Sequence, residues 1–249
     1  MTMIVIDQLK RAWAISKKDI RIYYLRGPVI IFGVLSPAFL FLAFMIGRDL
    51  PVDFLIAGLM GMTIFFTSTS VTPVIAPTET QTRNLERLAA SPVSITTILL
   101  GDILASVLFG IGISLVPILL GIALGVTIIH PFILAVAIVL ASFCFSAMGL
   151  IFSSTPTGMT STVMMMSMMV KFPMVFISGV FIPVGELPQW GRTLASISPL
   201  TYITDLCRYS FQETNYYSVP VNISALIMFM VIFMITAVKL HEKSLPKRL

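Results

Sequence analysis

The feature that most constrains this chain is a series of apolar blocks of twenty or more residues, separated by short polar stretches. A block that long crosses a hydrocarbon core of ~30 Å as a helix rising ~1.5 Å per residue. Six blocks have that length, near 28–47, 54–77, 97–126, 131–153, 158–182 and 221–240. Composition agrees, because only 11% of the 249 residues are charged, against about 25% in a soluble domain. The sequence therefore predicts an all-α membrane protein with six transmembrane helices. It forms a single domain over 1–249, since no polar stretch is long enough to build a second core.

Residues 5–25 are polar but periodic. Ile6, Leu9, Trp13, Ile20 and Tyr24 share one helical face, and Lys10, Arg11, Lys17, Lys18 and Arg21 share the other. That pattern suits a basic amphipathic helix lying in the membrane interface over 1–27. Lys and Arg between the blocks set the orientation. With the N-terminus inside, the inner pieces hold Lys10, Arg11, Lys17, Lys18, Arg21, Arg26, Arg83, Arg87, Lys239, Lys243, Lys247 and Arg248, which is twelve. The outer pieces hold three, Arg48, Arg192 and Arg208. Both termini are expected in the cytoplasm. The net charge of +5 forms no compact basic patch with interleaved aromatics. Anionic lipid headgroups in the bilayer are the expected partner, and nucleic acid is not.

Several chemistries have no motif here. There is no Gly-x-x-x-x-Gly-Lys-Ser/Thr loop to cradle phosphates. Two lone histidines, His130 and His241, make no His-Glu-x-x-His zinc site, and there is no Gly-x-Ser-x-Gly elbow. No catalytic residues and no metal or cofactor bound by the chain itself are expected. An energy source, if used, must come from a partner.

Two connecting segments stand out. The 78–96 loop is polar and helix-compatible, with Glu79, Arg83, Glu86 and Arg87 at helical spacings and Leu85 and Leu88 available to pack. The outer 183–220 segment mixes apolar and polar residues too evenly for a solvated loop. A membrane-dipping hairpin of short helices accounts for that, provided its backbone is buried in protein or lines a cavity.

These two segments carry a family resemblance. The stretch ETQTRNLERLAASPVS from Glu79 to Ser94 resembles the cytoplasmic loop of ABC type-2 permeases. That loop commonly has an acidic start, Gly-Thr, Leu-Glu-x-Leu and then Ser-Pro. The stretch SGVFIPVGELPQW from Ser178, followed by SPLTYITD from Ser198 and by Arg208, resembles the outer end of the fifth helix and the re-entrant loop of the same family. Arg83 and Asn84 stand where the family commonly has Gly-Thr, and Gln81 replaces a second acid.

The resemblance implies a permease subunit that dimerises, with itself or with a related permease, in the plasma membrane. Each copy would dock an ATPase subunit, two in all, through a coupling helix at 79–90. Glu79, Arg83, Leu85, Glu86, Arg87 and Leu88 would form that surface, and ATP and Mg would sit on the partner. Multidrug or daunorubicin-resistance-type exporters are the nearest branch, with an amphipathic or hydrophobic cargo (drug, lipid or glycan-like). Gly179, Pro183, Pro199 and Tyr202 would belong to the external gate.

The candidate pathway residues have two readings each. Lys171 lies mid-way through the fifth block, where a lysine costs roughly 2.5–3.5 kcal/mol on insertion scales. It faces the translocation path, or it pairs structurally with carbonyls or a carboxylate, or its head snorkels to lipid phosphates. Thr63 and Thr67 line the path or pack helices together. Met168 belongs to a run of seven methionines between Met159 and Met174. That run is an adaptable binding wall or plain packing. Asp102 gates the inner side or caps locally. A secondary transporter or channel working through Lys171 and Asp102 without ATP is the alternative function.

Overall fold

A computed structural model describes residues 2–25, 27–46, 50–90 and 93–248. Arg26 and Arg48 of the charge count, and Ser91 and Pro92 of the loop motif, lie outside the described residues. The chain is helical throughout, with no strand among the described residues. In order the helices are α1 (Thr2–Asp19), α2 (Gly27–Met45), α3 (Val52–Ser68), α4 (Thr72–Gln81) and α5 (Asn84–Ala89). Then follow α6 (Ile95–Ala123), α7 (Pro131–Ser153), α8 (Thr160–Ile177), α9 (Gln189–Ser196), α10 (Pro199–Gln212) and α11 (Val219–Ser244). A π-turn, Ile20–Tyr24, follows α1.

Among the described residues, five spans are long and apolar enough to cross a membrane: α3 with α4 taken together, α6, α7, α8 and α11. The expected crossing at 131–153 coincides with α7, where Pro131 opens the helix without costing a ladder hydrogen bond. The first expected block corresponds to α2, a 19-residue helix.

The expected 54–77 segment is broken at Thr69–Val71. Local chemistry explains the break. Pro73 has no N–H to continue the ladder. Hydroxyls instead serve the carbonyls around the interruption: Thr67 Oγ1 donates to Thr63 O (2.6 Å), Thr69 Oγ1 to Phe65 O (2.6 Å), Ser70 Oγ to Thr67 O (2.8 Å) and Thr72 Oγ1 to Ser68 O (3.0 Å).

The core forms around α3. In the apolar window of the α3–α4 span 89% of residues are buried, against 22% for α8 and 17% for α11. So α3 is the central post, and α8 and α11 present most of their surface outward. Met60, Met62, Ile64 and Phe65 pack with Leu134 and Phe145 of α7, Leu200, Ile203 and Leu206 of α10, and Leu226 of α11. Phe65 meets Phe145 edge-on with centroids 4.9 Å apart, a favoured aromatic geometry.

The 183–220 segment resolves into a 3-10 turn (Val184–Glu186), α9 and α10. α10 packs on α3, α7 and α11, and its residues from Pro199 to Arg208 are all buried. This burial is why the segment reads as too apolar for a loop.

α1 packs on the bundle through a third set of residues. Ala12, Ile15, Ser16 and Asp19 are buried against the bundle, while Leu9 and Trp13 point outward and are each 56% exposed. Small and polar residues make the protein contact because α1 lies very close to α6. A Cβ on Gly101 would stand 2.7 Å from Ile15 Cβ and 2.9 Å from the Ala12 carbonyl oxygen. The exposed Leu9 and Trp13 remain available to an apolar phase.

Candidate functional site

The end of the bundle that carries α1 and α5 concentrates charge. Lys18 of α1 donates to Glu79 Oε1 of α4, and its Nζ lies 3.1 Å from Asp19 Oδ1. Asp102 of α6 lies close to Asp19. Burial by itself would lower the Lys18 ammonium, but Asp19 and Glu79 outweigh it and hold it above its ordinary value. Burial raises the Asp19 carboxyl above the usual carboxylate range, against the opposing pull of Asp102 and Lys18.

Glu79 is therefore 2% exposed and ties α4 to α1, rather than standing on an open face. The outward-facing members of the predicted coupling set are Arg83, Glu86 and Arg87. Leu85 is buried and Leu88 half-buried, anchoring α5 from beneath. Arg83 makes the turn between α4 and α5 in the left-handed region, with φ 56°. Glycine adopts that conformation freely and other residues do so at a cost.

Glu79 and Asp102 also border a cavity of about 110 Å³ closed by His241 and Arg248. The Arg248 guanidinium donates to the Ser153 and Thr155 carbonyls at the end of α7, which fastens the C-terminal turn there.

Lys171 occupies a different place. It is 2% exposed, and its Nζ donates to Thr69 O at 2.5 Å, at the α3–α4 break. It lines a cavity of about 360 Å³ with Val29 of α2, Phe66 and Ser70, and Met164 and Met168 of α8. Two of the predicted pathway residues, Lys171 and Met168, thus meet. Thr63 and Thr67 do not line it. Both are buried in α3, where the Thr67 hydroxyl bonds its own helix and its methyl lies against Gly33 of α2. Asp102 and Lys171 border separate cavities.

At the opposite end, Gly179 terminates α8 with φ +73°, a helix stop that only glycine makes without strain. Its carbonyl accepts from Arg208 Nη2, while the Arg208 guanidinium carbon sits 4.4 Å above the Phe54 ring. Ser178 and Ser198 hydroxyls meet at 2.6 Å. Pro199 opens α10, and Tyr202 OH donates to Ser196 O at 2.7 Å. Pro183 lies beside Asp205 and Arg208 around a pocket of about 190 Å³. Asp205 accepts from the Tyr216 and Tyr217 amides (2.7 and 2.8 Å) and from Asn222 Nδ2 (2.8 Å). It clamps the turn between α10 and α11.

A family model for the ABC-2 type transporter matches residues 10–212, from within α1 to the end of α10. The chain belongs to that family. It is a multi-pass membrane protein and a transport domain of the ABC-2 type, the permease part of an ABC transporter. No curated protein sequence matches it. In this ABC-2 domain the resemblance read from 79–94 and 178–208 falls on α4–α5 and on the α8–α10 corner, the two ends where polar contacts concentrate.

Sequence reasoning missed Lys18 and Asp19 as partners of Glu79 and Asp102, the Asp205–Asn222 clamp, and the anchoring of Arg248. The Lys18–Glu79 pair spans 61 residues and Arg248–Ser153 spans 95, so no local spacing signals either. Asp19 gave one usable hint, as the only acid in the basic run from Lys10 to Arg26.

Proposed function

We propose that the chain is the permease subunit of an ABC exporter in the plasma membrane, crossing it six times, with α2 as the first crossing, both termini cytoplasmic and α9–α10 re-entrant from the outside. It works as a dimer, of identical or related permeases, with two ATPase subunits that carry ATP and Mg. Its cargo is amphipathic or hydrophobic.

One observation carries this reading. The matched family region includes a short helix, α5, that presents Arg83, Glu86 and Arg87 outward while Leu85 is buried and Glu79 is bonded to Lys18. Such a helix is exposed enough to be pushed and anchored enough to transmit the push along α4 into the central post α3. Cargo would travel at the dimer interface as these helices reorient, giving alternating access.

The test is co-purification in mild detergent from cells that also express its neighbouring genes. An ATPase subunit in equal amount is the expected result. Glu86→Ala and Arg87→Glu should then lower transport-linked ATP hydrolysis several-fold while leaving membrane abundance unchanged, since exposed substitutions away from special features shift stability by about 0.5 kcal/mol or less. Full coupling in both variants would overturn the docking assignment. Absence of any ATPase, with a candidate expressed, would overturn the ATP-coupled reading in favour of an ion-coupled one.

A further inference from the structure

Among the described residues that line its cavity, Lys171 is the only charged one. Among the described residues no carboxylate lies within salt-bridge distance of its ammonium. An ammonium has three donors, and among the described residues its acceptor is the Thr69 carbonyl. A buried cation with one neutral partner is poorly compensated, and an anion beside it would supply what the site lacks. The walls are Val29, Phe66, Met164 and Met168, and Met164 is 43% exposed, so the cavity opens along the outward face of α8. Methionine side chains adapt to varied apolar shapes.

We propose that this cavity is the binding site for a transported amphipath with a single anionic head. Lys171 recognises the charge, Ser70 stands beside the head, and Phe66, Met164 and Met168 receive the tail. This rests on the transporter reading and narrows its cargo to anionic amphipaths. The Thr69 carbonyl that accepts from the Lys171 ammonium sits where α3 breaks into α4, the helix that leads to α5. Head-group binding therefore competes for Lys171 at the joint through which α5 would be moved.

The test uses the full chain in phosphatidylcholine nanodiscs and two radiolabelled probes, dodecane-1-sulfonate and the neutral dodecane-1-sulfonamide. The wild type should bind the sulfonate saturably and about tenfold more tightly than the sulfonamide, the ratio expected for one charge-assisted contact. Lys171→Arg should keep that preference, and Lys171→Met should bind the two probes alike. Ser70→Asp, which sets a carboxylate in the cavity, should also remove the preference and covers the case in which Lys171→Met fails to fold. Equal binding of both probes by the wild type, or a preference that survives in Lys171→Met, would overturn the proposal. Repeating the measurement in phosphatidylglycerol nanodiscs separates cargo from resident lipid. A preference that persists supports a transported anion, and one abolished by the anionic lipid assigns the site to lipid and overturns the cargo claim. No ATPase is needed, so failure to co-purify a partner would sink the ATP-coupled reading without touching this result, and the converse holds equally.

Discussion

Lys18 of α1 hydrogen-bonds Glu79 of α4 across 61 residues of sequence, and the same ammonium lies 3.1 Å from Asp19. The pair joins the N-terminal helix to the base of the helix that leads to α5. The N-terminal helix is thus a bonded part of the bundle, and the charge most easily taken for a docking residue is a joint between elements.

Breaking that joint should loosen α1. Glu79→Gln and Lys18→Met should each cost about 2–3 kcal/mol, the lower range for removing one partner of a substantially buried pair. Melting in detergent measures it, and faster proteolysis between α1 and α2 locates it. The swapped pair Lys18→Glu with Glu79→Lys should recover part of the loss, although Asp19 would then face a new acid.

The Asp19 carboxyl predicts a pH dependence. Its folded pKa lies above the unfolded value of about 3.9. The stabilisation from holding it protonated is complete below the unfolded pKa and is lost as pH rises through the folded one. Asp19→Asn should therefore match the wild type near pH 4 and melt higher than the wild type at pH 8. Identical pH profiles of melting temperature in the two proteins would refute this. Lys18, Glu79 and Asp102 remain around the site in both, so the comparison isolates Asp19.

Arg83 pays for its left-handed turn at φ 56°. Arg83→Gly should be neutral or stabilising by up to about 1 kcal/mol, and Arg83→Val should destabilise by about 1–2 kcal/mol, because a β-branched residue tolerates that backbone least. Thermal melting of the two variants beside Arg83→Ala separates backbone strain from loss of the charge.

Two glycines of one helix should behave oppositely. A side chain on Gly101 meets Ile15 and the Ala12 backbone below 3.0 Å, whereas Gly112 has nothing within 4 Å. Gly101→Val should cost about 1–3 kcal/mol by forcing α1 off α6. Gly112→Ala should gain about 0.5–1 kcal/mol from helix propensity. Cysteine cross-linking between α1 and α6 should weaken only in the Gly101 variant.

Asp205 supports three donors at once. Asp205→Ala should destabilise by about 2–3 kcal/mol, since the buried Asn222 amide and the part-buried Tyr216 and Tyr217 amides each lose an acceptor, at about 1 kcal/mol apiece. Asn222→Ala should cost less, and the double variant should fall short of the sum because the two residues share one hydrogen bond. Melting curves of the four proteins close that cycle.

Much of the fold was legible beforehand. His130-Pro131 marks the start of α7, and the evenly mixed 183–220 segment reads as a hairpin of short helices; two short helices are found there, α10 buried and α9 mostly exposed. The break at Thr69–Val71 was hidden because the hydroxyls that repair it are compatible with an unbroken apolar helix. The contact of α1 with the bundle was hidden because hydrophobicity marks what avoids water and not which neighbour is touched. Leu9 and Trp13 avoid water by turning outward, and Gly101 invites Ala12 and Ile15 inward.

The sequence by itself determined the class of molecule. Unbroken apolar runs have one low-energy solution in a bilayer, a helix that satisfies its own backbone, and the motif stretches mark the same family that the model match identifies. The tertiary structure decided what the charged residues do. Lys171 meets Met168 and the Thr69 carbonyl, Thr63 and Thr67 are withdrawn into α3, and Glu79 is given to Lys18. The Lys171–Thr69 and Lys18–Glu79 bonds join residues 102 and 61 positions apart, where leaving a buried charge unpaired is costly. Spacing along a chain carries no record of which distant partner meets that demand, and only the packing of the helices selects it.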